Sequence, residues 1–198
     1  MKLKCTYLLF GLLIGGLFVV SCTVKDNKKD KEAITYDPKW KAANEAYFFS
    51  YKDSVDFFVL HDLLANSNDS VYYKVLEAGS GVTPYFSDTV NVTYKGWTTK
   101  GWPDYPTDSI FDQTAGGRFE FSGAPFSVAS GTITGWRLAL QYMKVGDKWQ
   151  LVIPASMGYG ATKTGGIQPY STLNFELRLI SIIRNGLVVD EMDDNRDF

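Results

Sequence analysis

"ITGWRLALQYMKVGDKWQLVIP", residues 133–154, changes its period halfway along, and that change decides the fold class. Trp136, Leu140 and Met143 fall on one stripe, with Leu138 and Tyr142 beside it, which is the three- and four-residue spacing of an amphipathic helix. "VGDK" then turns the chain and "WQLVIP" continues as a strand.

The chain that follows is "YGATKTGGIQPYSTLNFELRLISI", residues 159–182. Leu173, Phe175, Leu177 and Leu179 alternate with Asn174, Glu176 and Arg178, so the spacing predicts a strand with one buried and one wet face. The loop before it carries Gly160, Gly165 and Gly166 and no Ser, His or Cys nucleophile signature. Taken alone, such a loop is equally able to cradle a phosphate, close over a ligand or simply turn the chain.

Upstream, "VYYKVLEAGSG" from Val71, "VNVTYKGWTT" from Val90 and "RFEF" from Arg118 read as three further strands, the first ended by a glycine turn. Several antiparallel strands and one convincing helix predict an α+β fold: a curved antiparallel sheet, a half-barrel, wrapped on one central helix. A short N-terminal helical segment is expected over residues 37–69. There Trp40, Ala43, Tyr47 and Phe48 recur at helical spacing, and Val55, Phe58, Val59 and Leu63 continue it after a polar break at Ser50–Ser54, giving two short helices. His61, the one histidine, lies in this segment with no cysteine or second histidine to complete a site.

The first 21 residues are expected to leave the fold. Lys2 and Lys4 precede an apolar run from Leu8 to Val20, and Ser21 is a small residue where a signal peptidase would cut. "VVSC", ending at Cys22, resembles the lipobox of bacterial lipoproteins, in which the cysteine is lipidated and anchors the chain to a membrane. Cys5 would leave with the signal and Cys22 would be consumed as the anchor, so no disulfide or cysteine metal site is expected. Residues 22–36 then form a lipidated, solvated tether, since "TVKDNKKDKE" cannot bury enough apolar surface to order itself, although such a run is also compatible with a sorting signal.

At 198 residues and 45% hydrophobic content the chain can bury one good core, and a net charge of -2 gives no basic footprint for nucleic acid. Asn91-Val92-Thr93 matches a glycan acceptor pattern but sits inside a predicted strand. Triplets beginning at Asp53, Asp69, Asp88 and Asp108 match O-glycosylation acceptors, with turn chemistry as the preferred reading. Residues 185–198 are expected to form an acidic tail, whose "DEMDDNRDF" (190–198) lacks the glycine of a calcium loop and reads as solvated.

Five separated motifs carry a resemblance. "VTYKGW", "IFDQT", "TITGWRLALQYMKVGDKWQLVIP", "MGYGAT" and "IQPYSTLNFELRLISI" follow the order and approximate spacing of the FKBP-type peptidyl-prolyl cis-trans isomerases, over residues 70–184. The resemblance implies that the glycine-rich loop is a flap over a proline-binding pocket. It further implies catalytic roles for Asp112, Tyr159 and Trp136, with Trp136 as the floor beneath the proline ring and Asp112 semi-buried. Tyr94, Phe111, Phe126, Val128, Ile133, Ile167 and Phe175 would bind substrate, Val128 standing where relatives often have another aromatic, and the Ile133 N–H would hold a substrate carbonyl.

This chain departs from the pattern in "GWPDYPTDS" (101–109), "AGGRFEFSG" (115–123), Thr132, Thr164 and a flap about one residue short. The activity implied is cofactor-free and metal-free isomerisation of X-Pro bonds in exported or unfolded polypeptides of the cell envelope, with FK506-like macrolides as further ligands and no nucleic acid. A non-catalytic chaperone or peptide-binding lipoprotein is the alternative, and a purely structural envelope lipoprotein a third reading.

Overall fold

The computed structural model describes residues 36–63, 69–99, 109–114 and 124–189, which lie in one compact unit, Thr35–Phe198. The signal, Cys22, the tether up to residue 35, "RFEF", residues 101–108 of the first insertion, all of the second and the tail beyond Val189 lie outside the described residues; Tyr36, the last residue of the expected tether, packs against Tyr170 with ring centroids 4.5 Å apart.

The elements in chain order are α1 (Pro38–Phe49), β1 (Phe58–His61), β2 (Ser70–Glu77), β3 (Thr89–Thr98), β4 (Ser109–Gln113), β5 (Ala124–Ser127), α2 (Thr134–Leu140), β6 (Lys148–Ile153), a single 3-10 turn (Ala155–Met157), β7 (Leu173–Arg184) and β8 (Leu187–Val189). The strands make one antiparallel sheet in the order β1-β2-β6-β7-β3-β4, with β5 pairing β3 and β8 pairing β7. β4 lies along Lys95–Thr98 and β5 along Thr89–Val92, so the two share one edge of β3. Register shifts at Val75/Glu77, Asn91/Val92 and Gly96/Trp97 each insert a bulge, which bends a strand and adds twist.

The curved face closes on α2, as the sequence predicts. Trp136, Leu140 and Met143 are buried with Leu138, and Tyr142 is exposed. The regular helix stops at Leu140, but Met143 N–H still donates to Ala139 O, so the stripe reaches its last member through one more turn. Gly135 sets how closely the helix approaches β6: a Cβ there would stand 2.5 Å from Ile153 Cγ2. Below the helix, Leu151, Ile153, Leu173, Leu177, Leu179 and Ile182 are fully buried.

The outer face is not uniformly wet. Asp37 caps α1 by accepting from the Lys39 N–H at 2.8 Å, and Pro38 occupies the first helical position, where its missing N–H costs nothing. The helix presses Tyr47 and Phe48 onto Tyr72 and Val152, a small second core on the opposite side of the sheet from α2. Asn174, expected on the wet face of β7, is therefore fully buried, and its Oδ1 accepts the Tyr47 hydroxyl at 2.8 Å. Glu176 meets Lys148 at 2.9 Å and Arg178 pairs with Glu77, so only these two of the three polar positions follow the expectation.

Two further expectations fail. The second helix of the segment 37–69 is the strand β1, whose Phe58–His61 pair residue by residue with Tyr73–Ser70. Aromatic and branched residues fit that pleated edge, and Val55 and Leu63, the ends of the supposed stripe, are 96% and 85% exposed. The tail expected from residue 185 instead begins with a hairpin: Asn185 and Gly186 take φ of 52° and 80°, and β8 folds back on Ile182–Arg184.

Candidate active site

A pocket opens between the first turn of α2 and the sheet, lined by side chains from six separate places in the chain. β3 supplies Tyr94, β4 supplies Phe111 and Asp112, β5 supplies Phe126 and β7 supplies Phe175. The entry to α2 brings Gly131, Thr132, Ile133 and Trp136, and the turn after Met157 brings Tyr159.

Trp136 is the hub. Its ring is 4% exposed and meets three others edge to face, Tyr94 at 5.0 Å, Phe175 at 5.1 Å and Phe126 at 5.6 Å between centroids, each near 77°. Phe111 adds a fourth wall, 5.6 Å from Phe175 at 85°. Such tilted pairs are the geometry that ring quadrupoles favour. The indole N–H has no hydrogen-bond partner among the described residues, so packing alone holds the floor.

Gly96 makes this crowding possible, and the sequence reading passed over it. A Cβ there would lie 2.6 Å from Phe175 Cε1 and 2.8 Å from Phe111 Cζ. Strand β3 thus leaves a gap between Tyr94 and Trp97 into which both rings lean.

The polar groups stand around the apolar floor. Tyr94 donates to Asp112 Oδ2 at 2.7 Å, and Asp112 Oδ1 accepts the Gln113 N–H at 2.9 Å. Burial first, then the hydrogen bond to Asp112 and its charge, raise the Tyr94 phenol well above its ordinary range. Burial and Asp112 also raise Tyr159. Asp112 itself is exposed, not semi-buried, because β4 is the edge strand beyond β3 and nothing described covers its far side.

The N–H of Ile133, which precedes the first turn of α2, makes no hydrogen bond among the described residues, while its carbonyl accepts from Trp136 and Arg137. Among the described residues Ile133 N–H and the Tyr159 hydroxyl are thus two donors without a partner, placed to take acceptors from a ligand. No group of three or more His, Cys, Asp or Glu is placed to hold a metal among the described residues.

Of the ten residues named from sequence, the fold brings eight to this pocket. Val128 and Ile167 are the exceptions. Val128 is fully buried and Ile167 4% exposed, both in the main core. Ile167 instead pins the glycine-rich loop, exchanging two backbone hydrogen bonds with Thr164 across a turn in which Gly165 has φ 54°. Gly131 and Thr132 line the pocket without having been named for it, Thr132 having been noted only as a departure.

The family model described as FKBP-type peptidyl-prolyl cis-trans isomerase matches residues 81–180. Outer membrane protein MIP of Legionella longbeachae is 35% identical over 144 residues, 72% of this chain and 54% of that protein. The FKBP-type peptidyl-prolyl cis-trans isomerase FkpA of Escherichia coli K12 is 35% identical over 142 residues, 71% of this chain and 47% of the relative. The chain thus spans about half the length of the curated relatives it matches. A crystal structure of a peptidyl-prolyl cis-trans isomerase from Pseudomonas syringae pv. tomato superposes with a TM-score of 0.56 at 32% identity, over 75% of this chain and 98% of that one. The family match takes in every pocket residue from Tyr94 to Phe175, and the sheet wrapped on α2 is shared with solved isomerases, so the chain belongs to the FKBP-type peptidyl-prolyl cis-trans isomerase family.

Proposed function

We propose that the protein isomerises X-Pro peptide bonds in exported or unfolded polypeptides of the cell envelope. The observation that carries this reading is the Trp136 floor, ringed by Tyr94, Phe126 and Phe175 and overlooked by two donors without a partner among the described residues, the Tyr159 hydroxyl and the Ile133 N–H.

An unaided X-Pro bond crosses a barrier of about 20 kcal/mol in tens to hundreds of seconds. Raising that background to about 10³ s⁻¹ asks for roughly 10⁵-fold, or ~7 kcal/mol of transition-state preference, which differential binding can supply without a nucleophile. As the C–N bond twists, resonance is lost and the carbonyl sheds negative charge. An apolar aromatic wall disfavours the dipolar planar amide more than the twisted one. Tyr159 and Ile133 would hold neighbouring carbonyls in a turned geometry, and Asp112 would set the local field and orient Tyr94. Val128 and Ile167 act in this reading only as core beneath the wall.

Anchoring through a lipidated Cys22 is part of the same proposal, with 1–21 as signal, 22–36 as tether and 70–184 as the isomerase domain. Among the described residues no helix is long and apolar enough to cross a membrane. A protease-free isomerisation assay on an X-Pro peptide tests the activity. Acceleration proportional to enzyme concentration is expected. Binding of the peptide or of an FK506-type macrolide without turnover would favour the alternative, a chaperone that holds chains in the same pocket.

A further inference from the structure

Helix α1 lies outside residues 81–180, yet it is bonded to the ends of two segments that frame the pocket. Asn44, near the middle of the helix, is 1% exposed. Its Oδ1 accepts from the Thr172 N–H at 2.7 Å and from the Thr99 hydroxyl at 2.8 Å, and its own carbonyl accepts the Thr172 hydroxyl at 2.9 Å. The side-chain amide completes the set by donating to Trp40 O at 2.9 Å.

The two threonines occupy telling positions. Thr172 is the last residue before β7, where the loop that starts at Tyr159 rejoins the sheet three residues ahead of Phe175. Thr99 stands one residue beyond the Thr98–Ser109 pair that ends the ladder between β3, which carries Tyr94, and β4, which carries Phe111 and Asp112. One buried amide therefore ties together the roots of both segments that present the polar rim.

The loop is braced at a second point. Tyr170 has φ of 62°, a left-handed conformation that costs an aromatic residue free energy and persists only where its surroundings enforce it. Its N–H donates to Gly160 O at 2.7 Å, next to Tyr159, and its ring packs 4.5 Å from Tyr36 and 5.0 Å from the Lys41 ammonium. Tyr36 immediately precedes the Asp37 cap, and Lys41 lies within the helix, so α1 and its entry supply this contact too.

Resting on the proposed isomerase reading, we infer that Asn44 is a positioning residue: through Thr99 and Thr172 it holds the Tyr159–Ser171 loop and the β3–β4 end in the geometry that the pocket uses, making α1 a working part of the site. Burial leaves each of these polar atoms no water to fall back on, so removing one partner strands the other.

The test compares Thr172→Val, which keeps shape and deletes one hydroxyl, with Thr172→Ser, which keeps the hydroxyl, and with the harsher Asn44→Ala, all in the full chain. Two quantities are read: amide hydrogen exchange at Ile167 and Tyr170 against Leu151 and Val152 in β6, and kcat/KM on an X-Pro peptide. Thr172→Val and Asn44→Ala should speed exchange in the loop by about tenfold, as expected for losing one or two buried hydrogen bonds, with β6 unchanged and kcat/KM reduced. Thr172→Ser should restore both readouts. Equal acceleration in loop and β6 would mean a general stability role, and no acceleration in either would mean no bracing; both overturn the inference. A loosened loop with unaltered kcat/KM overturns it as well. A parent without turnover would sink the isomerase reading instead, and the exchange comparison alone would then decide whether α1 braces the loop.

Discussion

The Tyr94 hydroxyl donates a hydrogen bond to Asp112 Oδ2 at 2.7 Å, whereas the hydroxyl of Tyr159, lining the same pocket, bonds to no other described residue. Two identical deletions should therefore behave differently. Tyr94→Phe breaks a formed hydrogen bond and should cost about 0.5–1.5 kcal/mol of stability while releasing Asp112. Tyr159→Phe should leave the melting temperature unchanged and lower kcat/KM by roughly 2- to 10-fold, the worth of one hydrogen bond made only with substrate. Thermal melts and isomerisation rates on both variants check this, and a stability loss confined to Tyr159→Phe would reverse the assignment.

Trp136→Ala removes the surface against which Tyr94, Phe126 and Phe175 all pack. A cost of about 3–5 kcal/mol is expected, together with loss of turnover. Trp136→Phe, which keeps a ring, should retain more of both. Denaturant unfolding and the isomerisation assay decide; full turnover in a folded Trp136→Ala would place the active site elsewhere.

Gly96→Ala is a smaller change with a reach of two rings, since the new methyl would press on Phe175 and Phe111 at once. Overpacking of this kind costs about 1–3 kcal/mol. Affinity for a proline peptide should fall, because both walls shift, and aromatic side-chain NMR shifts of Phe111 and Phe175 should move together. Unperturbed shifts at both rings would contradict the crowding.

The pH dependence follows from two raised phenols. Burial and Asp112 favour the neutral form of Tyr94 and Tyr159 in the folded state, while an unfolded tyrosine titrates near its ordinary value of about 10. Their contribution to stability is thus fully present below about pH 10 and is lost as pH rises toward the folded values. Melts from pH 7 to 11 should show the decline beginning near 10, less steep in Tyr94→Phe, and the rate profile should carry no tyrosine limb between pH 6 and 9.

Cys22→Ser tests the anchor. Lipidation adds roughly 0.8 kcal/mol per buried CH₂, far more than the polar tether could supply, so the serine variant should leave the membrane fraction. Its persistence in the detergent phase would refute the lipobox reading.

Much of this fold can be read from local pattern because α2 and β7 each face one large core. Trp136, Leu140 and Met143 declare the helix, and Leu173, Phe175, Leu177 and Leu179 declare the strand. Position Asn174 could not be read that way: its burial depends on α1, more than 120 residues earlier in the chain, arriving on the other face. β1 misled because Val55, Phe58, Val59 and Leu63 keep helical spacing, and only pairing with β2 decides against it. Val128 and Ile167 belong with the pocket residues in type but are buried in the main core without lining the pocket. The Asn185-Gly186 hairpin and the close approach at Gly96 are different, since each carries a local signal: Asn-Gly favours a tight hairpin turn, and a glycine inside a strand marks close approach of other groups.

The place of β7 in the sheet has a consequence for how the molecule comes into being. It is the last long strand in chain order, yet it lies at the centre, hydrogen-bonded to β6 on one side and β3 on the other. Among the described residues, only Leu173–Arg184 joins the β1-β2-β6 ladders to those of β3, β4 and β5. A chain emerging from its amino end therefore lacks the strand that joins the two halves of the sheet until residue 173 and those after it have been delivered. Closure then joins segments about 80 residues apart in sequence, the kind of long-range contact that makes a protein fold slowly. A protein proposed to ease the folding of others is thus, by its own topology, a late and non-local folder.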